Sequence, residues 1–454
     1  MKSAVIGAGI TGLTCAHSLH KQGNEVLILE SSGNVGGVVG SNRIDGYLVE
    51  SGPNSLSLDA TDIRNFFQEL GLGEETIPAN QQSRHRFIVR DGNLVPLPLS
   101  PLSLVTTRAF SLAAKFRLLR EFFIPPIENT ENLSVASFFR QRLGREFFSF
   151  AGDPFISGVY AGDPEKLSVK HAFPRMLEME QAHGSLIKGF LKSAKARKND
   201  PTALKRQLVS FKDGMASLIN ALTQRIRPEN IKTEATLTQI EQHGEQWRVL
   251  WHGKDGKNEE DTFDQLVITV PAHALKGLPL PDALAKTLEP LAEISHPPMA
   301  CMALGFRRTQ VSHPLDGFGV LVPSCEGKNL LGAIFATTLF PGRAPLDHVL
   351  LQCFVGGARN PASGRLRQED LEELLLPELS SLLGIHGKPT FIHVRNWEQS
   401  IPQCNLGHDR FLKVIEDAEN SCSNLTLAGS YRTGVALANC IRSGWMAAQE
   451  AGTQ

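Results

Sequence analysis

Cysteine is sparse and scattered in this 454-residue chain. The seven residues are Cys15, Cys301, Cys325, Cys353, Cys404, Cys422 and Cys440, with no Cys-x-x-Cys and no histidine at zinc-binding spacing. That pattern argues against a disulfide framework and against a metal site, and it suits a reducing compartment. Net charge is nearly absent too, −1 at pH 7, so no global field draws the protein to nucleic acid. Every apolar run falls short of the ~18 residues of a spanning helix. After Met1-Lys2 the chain enters a strand pattern where a signal sequence would carry a long apolar core. A cytoplasmic location is the expectation. With 41% hydrophobic and 20% charged residues, the composition is that of a globular protein of two or three domains.

Glycine is abundant where it matters. Residues 3–6 (SAVI) read as a strand that runs into Gly7-Ala8-Gly9-Ile10-Thr11-Gly12. Residues 13–22 then read as a helix, and residues 25–29 (EVLIL) as a second strand ending at Glu30. Strand, glycine turn, helix, strand and terminal acid make the dinucleotide-binding βαβ unit. Gly7 permits the tight turn, Gly9 lets backbone approach a pyrophosphate, and Gly12 brings helix against strand. The phosphates would sit on the helix N-terminus, where free N–H groups and the dipole favour anions. Glu30 is placed to accept hydrogen bonds from a ribose. The glycine pair Gly36-Gly37, after Ser31 and before Val38, favours FAD over NAD, because it lets the chain pass close to the flavin's diphosphate and ribityl. Gly52-Pro53-Asn54-Ser55 adds a second turn, which resembles the segment beside the flavin in amine-oxidase-like flavoproteins.

The C-terminus repeats the device. Residues 425–427 form a strand entering Ala428-Gly429-Ser430, and residues 435–446 read as a helix. The device resembles the last such helix of FAD oxidases, which points at the flavin, and that resemblance would place the backbone of Val435, Ala436 and Leu437 beside the ring. Residues 230–240 read as one alternating strand, with backbone near Leu237 on the adenine side, and residues 265–270 (QLVITV) as another. The expected fold is therefore α/β, with a discontinuous Rossmann-type FAD-binding domain formed by 1–80, 205–270 and 400–454. A mixed α+β substrate domain would take 81–100 and 271–399, and a helical domain 101–204.

Within 101–127, Leu112, Phe116, Leu119 and Phe123 recur at one helical face, and basic residues outnumber acids; 184–198 repeats the theme. Such segments either pack as ordinary domain helices with a solvated polar face, the commoner outcome, or lie on anionic membrane. A peripheral contact with the cytoplasmic face of a membrane and a homodimer stay open.

The tetrapeptide Ala-Gly-Asp-Pro occurs at both 151–154 and 161–164. The segment FISGVYAGDPEKLSVKHAFP, residues 155–174, resembles the signature of the oxygen-dependent protoporphyrinogen oxidase family. DGFGVLVP (316–323), FVGG (354–357), IPQCNLGH (401–408) and GVALANCI (434–441) resemble further blocks of that family in the same order. The resemblance implies a p-hydroxybenzoate-hydroxylase-like FAD domain, a substrate domain and a membrane-docking helical domain. It implies FAD as cofactor and a porphyrinogen and O2 as partners. The reaction would be six-electron oxidation of protoporphyrinogen IX to protoporphyrin IX with release of H2O2, or of coproporphyrinogen III on the same fold. It further implies that Arg86, with Arg84 and His85 adjacent, pairs with a substrate propionate, that Phe318 packs on the macrocycle, and that Ala272 and Leu275 lie in the segment packing on the opposite side. The doubled AGDP would hold Phe155 and Tyr160 in an irregular loop at the cavity entrance, with Asp153 and Asp163 in turn and cap roles. Two departures stand out: Ser430-Tyr431 replaces an Asn-Tyr turn, and Cys404 replaces an aromatic.

No catalytic side chain is assigned, since the flavin carries the chemistry and none of the fourteen histidines sits in a motif that demands a base. A flavin amine oxidase is the rival enzyme. Such enzymes often frame the amine with paired aromatics, yet the chain has three tyrosines, of which Tyr431 alone lies near the flavin turn.

Overall fold

Five short parallel strands form the sheet in which both chain ends meet. In spatial order they are Ile231–Lys232, Glu25–Leu29, Lys2–Ile6, Gln265–Ile268 and Leu425–Leu427. The computed structural model describes residues 1–58, 60–98, 100–199 and 207–453. The expected boundary at 204/205 lies outside them. Both faces of the central strand are apolar, as a parallel sheet requires. Val5 points to a core shared with the helices Ile10–Lys21 and Leu437–Thr453. Ala4 and Ile6 point to a second core, shared with Trp247 and with the helix Asp409–Ser421 through Phe411 and Ile415.

Residues 230–240, expected as one strand, are two. Ile231–Lys232 extends the parallel sheet beside Ile28 and Leu29, and the chain then turns through Glu234, whose φ is +55°. Thr236–His243 leaves to join Gln246–His252 and Asn258–Phe263 in an antiparallel sheet. The alternation of residue types is continuous, so nothing in the pattern marks the break.

A seven-stranded mixed sheet runs in the order Phe391–Trp397, Met299–Arg307, His348–Gly356, Leu330–Phe335, Gly317–Leu321, His85–Arg90 and Asn93–Pro96. Leu371, Leu375 and Leu379, one face of the helix Gln368–Leu383, bury one side of it. The other side meets the helical segment, where Ile88 packs on Ala109, Phe110 and Ala114.

The helical segment is built around a fully buried charge cluster. Arg142 lies 2.5 Å from Glu121 and 3.2 Å from Glu180, and it donates further bonds to the Ile124, Pro125 and Gly184 carbonyls. Losing the guanidinium would strand two carboxylates in the core. The AGDP segment is here a helix, Asp153–Tyr160, entered through the π-helical turn Phe148–Gly152, and not an irregular loop. Pro154 falls in the first turn, where a missing N–H costs nothing, and Ala161 ends the helix in the left-handed conformation.

The segment 101–127 folds as Pro101–Thr106, Leu112–Leu119 and the 3-10 turn Arg120–Phe123. Its apolar face points outward: Leu112, Phe116, Leu119 and Phe123 are between 61% and 86% exposed, and Leu102 and Val105 join them. The outcome is the reverse of an ordinary domain helix. No helix among the described residues is long and apolar enough to cross a membrane.

Candidate functional site

The strands Lys2–Ile6, Glu25–Leu29, Gln265–Ile268 and Leu425–Leu427 run parallel, so their C-terminal ends share one edge of the sheet, the edge at which doubly wound sheets bind ligands. Three glycine turns converge there. Gly7 has φ +102° and donates its N–H to the Leu29 carbonyl at 2.9 Å. A Cβ on Gly12 would overlap the Gly7 carbonyl and lie 2.6 Å from Thr269 Oγ1, so only glycine lets the helix Ile10–Lys21 start this close to the strand. Gly9, the residue before that helix, would carry a Cβ into open space, in front of N–H groups without a side-chain cap.

The second turn faces the first. Gly36 donates to the Ala8 carbonyl at 2.7 Å, and a Cβ on Gly37, whose φ is +61°, would lie 3.4 Å from Gly9 Cα. Val38 follows, half exposed, and its carbonyl leaves no space for a side chain at Gly52. Pro53, Asn54 and Ser55 are half-buried, and Asn54 Nδ2 donates to the Gly52 carbonyl at 3.2 Å. The third turn follows Leu425–Leu427. Gly429 donates to Ser443 Oγ at 3.1 Å, Ser430–Thr433 forms a short helix, and Val435, Ala436 and Leu437 lead with some exposure into the last helix. Thr11 Oγ1 donates to the Cys440 carbonyl at 3.2 Å and ties the first turn to the third, with Ala8 and Ile10 buried beneath.

A glycine-lined cradle before two helix N-termini suits a dinucleotide diphosphate. Glu30 is half-buried at the strand end, where its carboxylate already accepts the Ala8 and Ser32 N–H groups at 2.8 Å each, beside exposed Ser31. A ribose would share those oxygens. The backbone beside Glu30 comes from Glu234 and Ala235, which donate to the Ser32 and Glu30 carbonyls, and the side chain of Leu237 turns into the core on the far side of the bend.

Sequence reasoning missed the supports of this cradle. Trp397, at the end of a strand of the seven-stranded sheet, donates its indole N–H to the Ser51 carbonyl at 3.0 Å. Glu50 is buried; it accepts from Ser41 Oγ at 2.5 Å and from the Met215 N–H at 3.2 Å, with Arg343 3.9 Å away. Burial pushes the Glu50 carboxyl up to about 7, against the hydrogen bond from Ser41 and the charge of Arg343. Its position directly before Ser51-Gly52 was the available signal.

On the substrate side the structure brings two of the four expected residues together. Gly319 pairs with Arg86 across parallel strands, and the Arg86 guanidinium lies 5.2 Å from the centre of the Phe318 ring. Arg86 is exposed and Phe318 half-buried. Ala272 and Leu275 are placed otherwise. They sit on the helix Ala272–Leu275, closed inside the core under the five-stranded sheet with Leu284, Leu288 and Leu291, and offer no surface to a cavity. Their apolar character reflects that packing.

The doubled AGDP is a junction. Asp153 is buried, accepts the Ser324 N–H at 2.9 Å and pairs with Arg359, which also donates to Ser157. At the second copy, the Ala358 N–H donates to the Ala161 carbonyl at 2.7 Å, Gln403 Nε2 to the Tyr160 carbonyl at 2.9 Å, and the Glu165 N–H to Asp163 Oδ1 at 3.0 Å. Cys404 is buried there, and burial pushes its thiol up to about 11. His273 and His296 stack edge to face 4.6 Å apart, and burial lowers His296 to about 4. No group of three His, Cys, Asp or Glu among the described residues could hold a metal ion.

Three comparisons bear on this site. The family model "Flavin containing amine oxidoreductase" matches residues 10–451. The mitochondrial protoporphyrinogen oxidase of Nicotiana tabacum is 30% identical, covering 98% of this chain and 93% of that protein. The coproporphyrinogen III oxidase of Bacillus subtilis (strain 168) is 28% identical, covering 98% and 97%. A crystal structure from Exiguobacterium sp. 255-15 superposes with a TM-score of 0.82 at 25% identity, over 100% of this chain and 99% of that one. A putrescine oxidase structure shares the fold at 16% identity and a TM-score of 0.71, over 100% of this chain and 99% of that one.

Two outcomes are expected. Gly9→Ala should leave the unfolding temperature of cofactor-free protein unchanged while weakening FAD binding about tenfold, whereas Gly12→Ala should lower both; titration of the yellow absorbance and thermal melts separate them. Glu50 supplies a pH dependence. Its folded pKa of about 7 lies above the unfolded value near 4.5, so its stabilising contribution is complete below 4.5 and disappears as pH rises through 7. The loss is on the order of 3 kcal/mol, and Glu50→Gln should flatten that limb in melts at pH 5, 6.5 and 8.

Proposed function

The chain belongs to the family of flavin containing amine oxidoreductases, and we propose that it oxidises protoporphyrinogen IX to protoporphyrin IX, with dioxygen as acceptor and hydrogen peroxide as product. The protein is an FAD-dependent oxidase. The observation that carries the substrate reading is the Arg86–Phe318 pair: a cation held over an aromatic ring, at the layer between the seven-stranded sheet and the helical segment. A guanidinium can take a propionate bidentately, while the aromatic face packs on the tetrapyrrole.

Bound FAD supplies the hydride acceptor and the route for electrons to oxygen. The residues of the chain bind and orient. The N–H groups behind Gly9 would hold the diphosphate, Glu30 the ribose, and the segment Gly52–Ser55, fixed by Trp397, would support the ring system. Burial lowers both His273 and His296, which disfavours a positive charge on either ring. Coproporphyrinogen III is the second reading, supported by the Bacillus subtilis relative. An amine substrate has little support from the aromatic residues: Tyr431 is buried in the core and cannot frame a ligand.

The outward apolar face of residues 102–123, flanked by Arg108, Lys115 and Arg120, supports peripheral docking of the helical domain on the cytoplasmic face of an anionic membrane. The division into FAD-binding, substrate and helical domains belongs to the same reading.

Arg86→Ala should raise KM for the porphyrinogen about tenfold and leave kcat within about threefold, read by porphyrin fluorescence and peroxide release. An unchanged KM removes the assignment. Phe116→Glu with Phe123→Glu should abolish co-sedimentation with phosphatidylglycerol vesicles without changing turnover in detergent; unaltered binding would dismiss the docking face.

A further inference from the structure

A second cationic site lies in the same layer as Arg86. Between the helix Asp153–Tyr160 and the loop after the strand Gly317–Leu321 there is a cavity of about 140 Å³. At ~30 Å³ per water, that is room for four or five waters, enough for one carboxylate arm and far too little for a macrocycle. Lys328, half-buried and without an ion pair among the described residues, lines it together with Arg359, Asn329 and Asn360. Arg359 commits two of its five N–H donors to Asp153 and Ser157, which leaves three. Lys328 and Arg359 line the cavity directly, while the nearby carboxylates are already engaged, Asp153 by Arg359 and the Ser324 N–H and Glu378 by the Asn329 and Leu330 N–H groups, so the donors that remain suit one anionic arm. Val322, Leu330 and Leu331 form an apolar wall that suits a hydrocarbon stem.

The two sites face the same layer. Arg86 shares its strand face with Ile88, which packs on the helical segment, and Leu321 meets Gly158 of the helix that walls the cavity. Phe318 and Val322 are four residues apart, about 13 Å at ~3.3 Å per residue. We propose that this cavity is a carboxylate pocket, and that it lets the chain hold a porphyrinogen bearing acids on opposite sides of the ring, as the tetracarboxylate coproporphyrinogen III does and protoporphyrinogen IX does not. The substrate part rests on the porphyrinogen reading above; the pocket itself does not.

The test uses flavin-loaded wild type and Lys328→Met, checked for equal FAD content and unfolding temperature. Lys328→Met should lower kcat/KM for coproporphyrinogen III about tenfold and leave that for protoporphyrinogen IX within twofold. Sodium propionate should raise the unfolding temperature of the wild type relative to chloride at equal ionic strength, and not that of the variant. A propionate effect with no change in selectivity would support the pocket with a free small carboxylate as its occupant. Equal effects on both porphyrinogens with no propionate effect, or no effect at all, would overturn it. If flavin-loaded wild type oxidises neither porphyrinogen, the functional reading fails, while the propionate melts still decide the pocket.

Discussion

The crossing of the first and last helices governs the architecture. Gly444 lies so close to Ile10–Lys21 that a Cβ would be 2.5 Å from the Thr11 carbonyl, and Thr11 bonds back to Cys440. Helix backbones approach this closely only over a residue without a side chain. The contact holds the C-terminal turn at Gly429 against the N-terminal turn at Gly7, and so two helix N-termini face one cradle. Between residues 30 and 425 the chain leaves this sheet and returns to it at Ile231–Lys232 and again at Gln265–Ile268, so the seven-stranded sheet and the helical segment are built from the excursions between those returns.

The segments are tied to one another by polar links. Asp153 and Arg359 connect helix to sheet, Gln403 connects the helix end to the segment returning to the five-stranded sheet, and Trp397 connects the seven-stranded sheet to Ser51. Each of these joints uses a directional bond, which fixes how the layers are spaced. Glu50 is the most exposed to solution conditions among these supports, because it combines full burial with a carboxyl poised near neutrality.

How much was legible in the sequence follows from the range of the forces involved. The glycine turns were readable because Gly7, Gly12 and Gly36 answer a local steric demand, visible within a few residues. The pairing of Arg86 with Phe318 was readable only through resemblance, since the two lie in strands separated by more than two hundred residues. Apolar periodicity could not show that Leu112, Phe116 and Phe123 face outward, because an amphipathic face carries no label for what it meets. Resemblance, in turn, could not show that Ala272 and Leu275 close a core, because burial in protein and contact with a ligand favour the same residues. The split of 230–240 and the helix at Asp153–Tyr160 were hidden for a related reason: tertiary pairing overrode a local pattern that fitted another conformation.

The strand Leu425–Leu427 forms an edge of the parallel sheet and follows its neighbour Gln265–Ile268 by more than 150 residues along the chain. Domains generally fold as units during synthesis, but here the nascent polypeptide holds an incomplete sheet until residues 425–427 have been made. A cradle that draws on all three glycine turns is therefore assembled late, after the helical segment with its greasy outer surface has already been made.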